Sequence, residues 1–455
     1  MPEVTKLFAD VVASDRVLAG EAASDDYGHD EALGAEPVVP AAVVIPETTD
    51  EVAAILRVAN EHGIPVTARG SGTGLSGAAI PRPDGIVVSF ERMKRVEIDV
   101  ENQIATVQPG ITLAELDEIT AAQGLVYPVY PGEYSASLGG NVATNAGGMR
   151  AVKYGVTRHQ VLGLEAVLAT GEVIRTGGKF VKGSTGYDLT QLIVGSEGTL
   201  AVVTEALLRL YPRPAHQATV MAPFRTLDEV MRAVPLVVAS GIGPLILEYI
   251  DMLTMAGMQK NFGLDLGVPE EVKSATLAYL VVMLEDAREE RVDEDTQALA
   301  EQLSDLGAID VYVLPPNSAV KLIEAREKAF WLAKGSGADD IVDVVVPRAS
   351  IVDFMNGVQE LAARTGTFVA GCGHAGDGNV HMSVFNADPE KRSEVMRELF
   401  QLGMGVGGAI SGEHGIGKTK KKYFLELEDP TKVELMRRIK AAFDPNDILN
   451  PGTLL

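Results

Sequence analysis

Short apolar runs recur along the first half of the chain, and most of them are bounded by glycine or proline. Runs of this length and composition are typical of β-strands. The strands predicted in this way are residues 42–46, 64–70, 85–90, 164–168 and 200–204. Residues 96–100 and 103–110 flank Glu101-Asn102 and predict a hairpin.

Two helices are predicted between these strands. Apolar residues at the i, i+3, i+4, i+7 spacing of one helix face are Val52, Ile55, Leu56 and Ala59. Thr49 is the predicted N-cap of this helix, and Gly63 is its predicted end. Thr112 is the predicted cap of a second helix, which runs to Gly124.

The pattern changes at Pro212 and Pro214, which predict a domain boundary. After it, strands such as LAYLVVML alternate with charged helices such as EDTQALAEQLSDLG, an α+β pattern. Residues 25–40 are acidic and irregular, and we predict an N-terminal arm over residues 1–37. The tail ends in FDPNDILNPG, which is rich in turn-forming residues.

Composition and charge exclude several classes of protein. The 455 residues are 46% hydrophobic and 22% charged, as in ordinary globular proteins. No apolar run approaches the ~20 residues that span a bilayer, and the N-terminus lacks the apolar core of a signal peptide. These features predict a cytoplasmic protein with no transmembrane segment.

The formal net charge of −24 argues against nucleic acid as a partner, because phosphate binding needs a basic face. The one basic run, Lys418 to Lys422, is predicted to be a solvated turn. Cys372 is the single cysteine, so the chain can form neither an internal disulfide nor an all-cysteine iron–sulfur cluster.

Two glycine-rich segments are candidates for cofactor binding. Residues 72–77 match the GxGxxG pattern of dinucleotide-binding folds, but Pro81 and Pro83 block the helix that should follow. We therefore reject a Rossmann fold. Residues 69–74 directly follow a predicted strand, and their bare amides can surround a pyrophosphate. Residues 137–148 (SLGGNVATNAGG) are small enough for a flat ring or a phosphate to lie against their backbone.

A third segment, residues 412–419 (GEHGIGKT), matches the GxxxxGK[ST] pattern of a P-loop. Glu413 lies inside this loop and would repel phosphates. The residues that follow do not form the long amphipathic helix that a P-loop needs. An ATP-binding protein is thus an alternative from another functional class, and the sequence disfavours it.

The order of these segments resembles the flavoproteins of the vanillyl-alcohol oxidase type. The nearest branch contains D-lactate dehydrogenase, the glycolate oxidase flavoprotein subunit and D-2-hydroxyglutarate dehydrogenase. The resemblance covers residues 38–455 and is carried by PVTARGSGTGLSG, PGEYSASLGGNVATNAGG, GYDLTQLIVGSEGTLAVVTEALLRL, GHAGDGNVH, SGEHGIGK and FDPNDILNPG. It implies an α+β fold with a two-subdomain FAD-binding domain (38–214), a cap domain with the metal site (215–412) and a tail (413–455) that returns to the flavin.

The resemblance also implies which residues bind FAD. They are Arg69, Gly70, Ser71, Gly72 and Thr73 at the pyrophosphate, Ser137, Gly139, Gly140, Asn145 and Gly148 at the flavin, Gly198 and Val203 near the adenosine half, and Asn450 near the ring. Covalent members of the wider group carry a histidine in the first glycine loop. This chain has none there, so we predict non-covalent FAD.

Three of the seven histidines, His374, His381 and His414, lie in two glycine-rich segments, and Glu413 adjoins the last of them. Two imidazoles and a carboxylate leave open positions on a divalent metal. The family pattern implies that His374, His381 and Glu413 bind zinc, manganese or iron, and that His414 is the catalytic base. Arg326 is predicted to pair with the substrate carboxylate through two N–H groups; the alternative is an exposed helix arginine.

These residues predict an FAD- and metal-dependent dehydrogenase that converts a small D-2-hydroxy acid, such as D-lactate or glycolate, to the 2-oxo acid, with hydride passing to flavin N5. Where the hydroxyglutarate enzymes bind a second carboxylate, this chain has Phe330, Ile341 and Ser383. An apolar pocket disfavours that group, so glycolate, D-lactate or a longer apolar D-2-hydroxy acid is favoured. D-2-hydroxyglutarate dehydrogenase is the runner-up. A catalytically silent flavin-binding subunit of a larger oxidase is a third possibility.

The electron acceptor is predicted to be separate from this chain, because the sequence shows no second redox centre. Oxygen, a quinone, an electron-transfer protein or an iron–sulfur subunit would each serve. The sequence does not determine the oligomeric state.

Overall fold

The computed structural model describes residues 2–23 and 25–455. Its strands form three main sheets surrounded by helices, which confirms the predicted α+β class. The first sheet has the order β1-β2-β4-β3, with β2, β4 and β3 parallel. Its strands are β1 (Val17–Leu18), β2 (Ala42–Val44), β3 (Val66–Arg69) and β4 (Ile86–Ser89).

Helix α2 (Thr49–His62) crosses from β2 to β3 and buries its predicted apolar face against this sheet. Its N-cap is Thr48 rather than Thr49: Thr48 has an extended backbone, and its side chain accepts a hydrogen bond from the Glu51 amide. The predicted cap was therefore one residue too late. Gly63 ends the helix with φ 62°, in the left-handed conformation that glycine adopts freely.

The second sheet is antiparallel and has the order β5-β6-β10-β8-β9. Its strands are β5 (Val96–Asp99), β6 (Ile104–Val107), β8 (Val161–Val167), β9 (Val173–Gly177) and β10 (Val202–Arg209). β5 and β6 form the predicted hairpin, and β7 (Leu125–Val126) pairs with β11 (Tyr211–Pro212) beside them. Thr112 caps the predicted helix α3 (Leu113–Ala121) through a capping box with Glu115.

The third sheet is antiparallel, with the order β15-β12-β14-β13-β17-β18-β16. Its strands are β12 (His216–Phe224), β13 (Ile246–Asp251), β14 (Ala278–Asp286), β15 (Tyr312–Val313), β16 (Asp340–Val345), β17 (Phe368–His374) and β18 (Asn379–Phe385). The largest hydrophobic core lies between one face of this sheet and the helices that cover it.

The remaining helices connect and cover the sheets. They are α1 (Pro2–Ala9), α4 (Leu138–Thr144), α5 (Ala151–Tyr154), α6 (Thr157–Gln160), α7 (Leu189–Ile193), α8 (Leu227–Ala239), α9 (Met252–Phe262), α10 (Glu270–Ala275), α11 (Glu289–Asp305), α12 (Pro316–Glu327), α13 (Ala329–Gly335), α14 (Ile351–Thr365), α15 (Pro389–Gly405), α16 (Lys421–Leu427) and α17 (Pro430–Phe443). Within residues 2–23 and 25–455, no helix combines the length and hydropathy that crossing a membrane requires.

The C-terminal tail returns to the first sheet. Val66 at the start of β3 donates its amide to the Ile448 carbonyl, and the Asn450 amide donates to the Val66 carbonyl. The tail thereby extends the edge of this sheet. The chain that leaves the third sheet is thus tied to the start of β3.

Candidate active site

A cleft lined by loops of the first two sheets contains most of the predicted FAD-binding residues. It extends to Glu413 and His414. The predicted residues that line it are Arg69, Gly70, Ser71, Gly72, Thr73, Ser137, Gly139, Gly140, Gly198, Val203 and Asn450. A long cleft of this kind, floored by small residues, fits an extended dinucleotide.

Close approach between two segments explains the glycines of this cleft. The Ser71 amide donates to Ser137 Oγ at 3.2 Å, which joins the loop after β3 to the start of α4. A Cβ on Gly70 would overlap the Ser137 hydroxyl, and a Cβ on Gly139 would lie 2.5 Å from Pro109. Glycine is therefore required at Gly70 for the loop after β3 to meet the start of α4, and at Gly139 for α4 to pack against Pro109.

The Arg69 side chain supports the loop. Its guanidinium donates to the His29 carbonyl at 2.5 Å and lies directly against the backbone of Gly72. Burial lowers the pKa of Arg69, although the nearby Asp30 acts in the opposite direction. The residue thus holds the loop in place and sets a positive charge beside it.

Two predicted flavin residues, Asn145 and Gly148, do not line the cleft. Asn145 ends α4 in the left-handed conformation (φ 55°), and its side chain accepts a hydrogen bond from the Arg158 amide. Gly148 (φ 113°) packs against the Tyr130 carbonyl. Both residues shape the turn after α4 instead, because left-handed backbone there redirects the chain.

Glu197 was missed in the sequence, although it lines the cleft and joins it to the C-terminal segment. Its two carboxylate oxygens accept the amides of Ile416 and Gly417 at 2.8 and 2.7 Å. Burial raises the pKa of Glu197 despite these amides. Its backbone carbonyl accepts from Asn450. A lone acid between glycines, in VGSEGT, was the available sequence clue.

The three predicted metal ligands lie together at the end of the cleft. Nε2 of His374, at the end of β17, and Nε2 of His381, in β18, each lie 3.2 Å from Glu413 Oε1. Within the described part of the chain, the buried atoms His381 Nε2 and Glu413 Oε2 have no hydrogen-bond partner. Two nitrogens and one carboxylate with unsatisfied atoms fit a divalent cation with open positions.

Mutual attraction of opposite charges shifts the pKa of these groups. Burial would raise the pKa of Glu413, but His374 and His381 hold it well below its usual range. Burial would lower the pKa of His374, but Glu248 and Glu413 raise it to about 10. The carboxylates thus create a site that favours positive charge, and a divalent cation would displace the imidazole proton.

Glu248, in β13, supports this cluster and was also missed in the sequence. Its Oε1 lies 2.5 Å from His374 Nδ1, which leaves His374 Nε2 to face Glu413. Its Oε2 lies 2.8 Å from Arg326 Nη2. A carboxylate behind a histidine ligand fixes the tautomer and orientation of the ring.

Arg326, in α12, is only 8% exposed, so the alternative of an exposed helix arginine is wrong. Although Nη2 lies near Glu248, neither Nη2 nor Nε is aligned for a hydrogen bond with any described residue. Burial would lower its pKa, but surrounding negative groups raise it. A buried cation with free N–H donors beside the predicted metal ligands can bind a carboxylate.

Asp343, in β16, organises the turn that carries Glu413 and His414. Its Oδ2 accepts the Ser411 hydroxyl at 2.6 Å and the amides of residues 412, 413 and 414 at 3.1, 3.1 and 2.8 Å. Its Oδ1 accepts from Asn379. Burial would raise its pKa, but His414, Lys420 and His381 keep it below the ordinary value.

The contacts of residues 412–422 agree with the sequence argument against a P-loop and correct the prediction of a solvated turn. The amides of the P-loop-like segment already donate to Asp343 and Glu197, and only the short helix α16 follows, so the segment lacks the geometry for a triphosphate. Lys420 is 3% exposed, with Nζ 3.7 Å from Asp343 Oδ2. The basic run is therefore not a solvated turn, because Asp343 draws one of its lysines inside.

His414 lies beside the predicted metal ligands, with its ring centroid 5.0 Å from that of His381. Burial lowers the pKa of His414 to about 4, with Asp343 acting in the opposite direction. The imidazole is therefore neutral at pH 7 and can accept a proton. Glu413 and His414 line both the cleft and a second cavity, which Arg326, His374 and His381 also line.

Sequence comparisons agree with this architecture. The family described as FAD linked oxidases, C-terminal domain, matches residues 213–454, and an FAD binding domain matches residues 40–177. A Mycobacterium tuberculosis protein named an uncharacterized FAD-linked oxidoreductase is 57% identical over 455 residues, covering 100% of this chain and 99% of that protein. D-lactate dehydrogenase of Archaeoglobus fulgidus is 41% identical and covers 91% of both chains.

Glycolate oxidase subunit GlcD of Bacillus subtilis is 38% identical, over 91% of this chain and 89% of that protein. Among solved structures, p-cresol methylhydroxylase with substrate bound has a TM-score of 0.80 at 19% identity, covering 99% of this chain and 96% of that one. This structural likeness confirms the vanillyl-alcohol oxidase type of fold.

Proposed function

We propose that this chain, which belongs to the FAD-linked oxidases, oxidises a small D-2-hydroxy acid to the 2-oxo acid. A divalent metal ion assists the reaction in this proposal. One observation carries the proposal: Arg326, the two metal-binding histidines, Glu413 and His414 all face one cavity, and two of them also line the FAD cleft. The similarity to D-lactate dehydrogenase and to a glycolate oxidase subunit supports D-lactate or glycolate as substrates.

Each residue has a distinct task in this proposal. The buried Arg326 guanidinium binds the substrate carboxylate through two N–H groups. His414 Nε2 or Nδ1, neutral at pH 7, takes the proton from the 2-hydroxyl group. His374, His381 and Glu413 would hold zinc, manganese or iron, whose positive charge lowers the pKa of a bound hydroxyl. FAD, when bound, supplies the acceptor for the hydride that leaves carbon 2.

FAD is proposed to be held without a covalent bond, since the loop of residues 69–77 has no histidine. The cofactor should therefore stay in solution when the protein is precipitated with acid. The chain has a single cysteine, buried Cys372. Electrons therefore leave to a separate acceptor, for which we propose a quinone, an electron-transfer protein or an iron–sulfur subunit.

The decisive experiment is a screen of D- and L-2-hydroxy acids with an artificial dye as acceptor, with and without a chelator. The proposal requires turnover of a D-2-hydroxy acid that the chelator removes. Preferred turnover of D-2-hydroxyglutarate would favour the runner-up. Absence of turnover with every acid, in protein loaded with FAD and metal, would contradict the proposal and favour a silent subunit.

A further inference from the structure

The cavity beside Arg326 is much larger than a small hydroxy acid requires. Its volume is about 610 Å³, the space of roughly 20 water molecules at ~30 Å³ each. D-lactate, whose side chain is a single methyl group, would leave most of this space unfilled. The lining of the unfilled part therefore indicates what else the cavity accommodates.

The floor of the cavity is one face of β16, β18 and β17. Because side chains alternate along a strand, every second residue of β18 points into the cavity, and the register places partners beside each one. Three rows of side chains cross the strands. The first row, at the predicted metal ligands, is His381 with Cys372, the middle row is Ser383 with Ile341 and Ala370, and the last row is Phe385 with Phe368. Successive rows are ~6.8 Å apart, so the last row lies roughly 13 Å from His381.

The walls beyond the metal cluster are mainly apolar. They are formed by α9 and α13, through Leu253, Gly257, Ala329, Phe330, Leu332 and Ala333. The aromatic rings of Phe368 and Phe385 stand at the far end, 5.3 Å apart, and Phe368 is half exposed. The charged lining residues are Arg326 and Glu413 at the cluster, half-buried Glu327 beside Tyr130, and exposed Lys260.

We propose that D-lactate and glycolate are the shortest members of the substrate class, and that the preferred substrate is a 2-hydroxy acid with an apolar side chain, aliphatic or aryl, of about six to ten carbons. This inference rests on the proposed function, in which Arg326 and the metal cluster hold the hydroxy-acid head. The side chain then runs from His381 over the row of Ile341, Ser383 and Ala370 to the pair of phenylalanines. An extended chain advances ~1.2 Å per bond, from ~3.6 Å per three backbone bonds. Six carbons therefore reach about the middle row, and ten carbons reach about the pair of phenylalanines.

A homologous series of substrates tests the proposal. Enzyme loaded with FAD and metal is assayed with a dye and D-2-hydroxy acids of three to ten carbons, together with D-3-phenyllactate. Each buried methylene should raise kcat/KM about fourfold until the floor is covered. Turnover of D-lactate with no gain from added carbons would overturn the inference while leaving the proposed function standing.

Blocking the floor gives a second test. Ala370→Phe places a ring in the middle row, and the ratio of kcat/KM for D-2-hydroxyoctanoate over D-lactate should fall at least tenfold. Ala441→Phe, the same change at an exposed position of α17, should keep the ratio of the unchanged enzyme. An undiminished ratio in folded, FAD-loaded Ala370→Phe protein contradicts the inference.

Binding of simple carboxylic acids to the unchanged protein tests the inference without turnover and without a variant that must fold. Calorimetry on the FAD- and metal-loaded enzyme should show octanoate binding at least a hundredfold more tightly than propionate, with the more negative heat-capacity change of apolar burial. Displacement of octanoate by D-lactate would place it in this cavity. Equal affinities of the two acids would refute the inference. If no hydroxy acid is oxidised, the proposed function fails, but this measurement still tests whether the cavity binds an apolar chain.

Discussion

At the scale of single residues, His414 is the group whose chemistry depends most on its surroundings. It is buried beside Asp343 and Lys420, and burial lowers its pKa to about 4. We predict that His414→Asn keeps FAD and metal but slows flavin reduction by roughly 10²–10⁴-fold, because general-base catalysis is lost. Stopped-flow absorbance of the flavin measures this. Near-normal flavin reduction would make His414 a structural residue.

The lowered pKa of His414 predicts how the rate of flavin reduction depends on pH. An imidazole with a lowered pKa loses its proton at lower pH, so His414 remains a base as the pH falls from 7 towards 5. A bound cation would lower the pKa in the same direction. The rate in the unchanged enzyme should therefore decline only as the pH approaches 4, and His414→Asn should lack that decline. A decline centred near pH 6.5 in the unchanged enzyme would contradict the assignment.

Glu248 is a positioning residue, since it holds His374 and lies beside Arg326. In Glu248→Gln the amide carries no charge, so we predict a 10–100-fold loss of metal affinity and a higher KM. Metal titration of the FAD-loaded protein and steady-state kinetics measure the two effects. Glu118→Gln, at an exposed position of α3, is the control. Unchanged metal affinity in Glu248→Gln would rule out the positioning role.

At the scale of elements, the contact between the loop after β3 and the start of α4 forms one wall of the FAD cleft. Gly70→Ala would drive its Cβ into the Ser137 hydroxyl, so we predict at least a tenfold loss of FAD affinity. Ser137→Gly removes the obstructing atoms, so the double variant should regain part of that affinity. Gly405→Ala is the control, because a Cβ there meets nothing within 4 Å. FAD titration that shows no recovery in the double variant would contradict the packing explanation.

Strands β16 and β18 control which side chain fits the substrate cavity. Ile341 and Ser383 are direct cross-strand partners on its floor. Ile341→Lys places a positive charge there. We predict at least a tenfold rise in the kcat/KM ratio of D-2-hydroxyglutarate over D-lactate, because the buried ammonium group attracts the second carboxylate. Ile341→Met, which keeps the site apolar, should not raise the ratio. Dye-coupled kinetics with both acids provide the measurement.

At the scale of the whole molecule, the first two sheets build the FAD cleft, whereas the third sheet supplies His374 and His381. We therefore predict that chelation abolishes turnover while FAD stays bound, since different elements hold the two groups. Flavin absorbance after desalting, together with the dye assay, measures both properties. Return of activity with zinc, manganese or iron would identify the metal. Full activity in metal-free enzyme would end the metal hypothesis.

Tertiary contacts explain why the separate parts can act together. Glu197, which lines the FAD cleft, accepts hydrogen bonds from the amides of residues 416 and 417. The Lys418 side chain donates to the Ile80 carbonyl. Asn450 bridges the carbonyls of Ala78 and Glu197. The C-terminal segment thus fastens the third sheet to the FAD cleft and places Glu413 and His414 between the two cavities.

The sequence by itself determined the features that depend on local pattern. Apolar periodicity gave helix α2, and glycine at a left-handed position ended it. These two features are local because backbone conformation and helical spacing depend on neighbours in the chain. The family resemblance carried by the glycine and histidine motifs implied FAD and the cluster of His374, His381 and Glu413. The same local view placed the α2 cap at Thr49, one residue from its true position.

Only the tertiary structure decided which distant groups complete the site. Asp343 lies 71 residues from His414, Glu248 lies 126 from His374, and Glu197 lies 220 from Gly417. No local pattern distinguishes Asp343 or Glu248 from the many solvent-exposed acids, and only Glu197 carried a clue, its position between glycines. Tertiary packing and burial bring all three inward. The same holds for Asn145, whose side chain the end of α4 directs to Arg158. The volume and apolar lining of the substrate cavity likewise exist only once β16, β18 and β17 pair and the helices cover them.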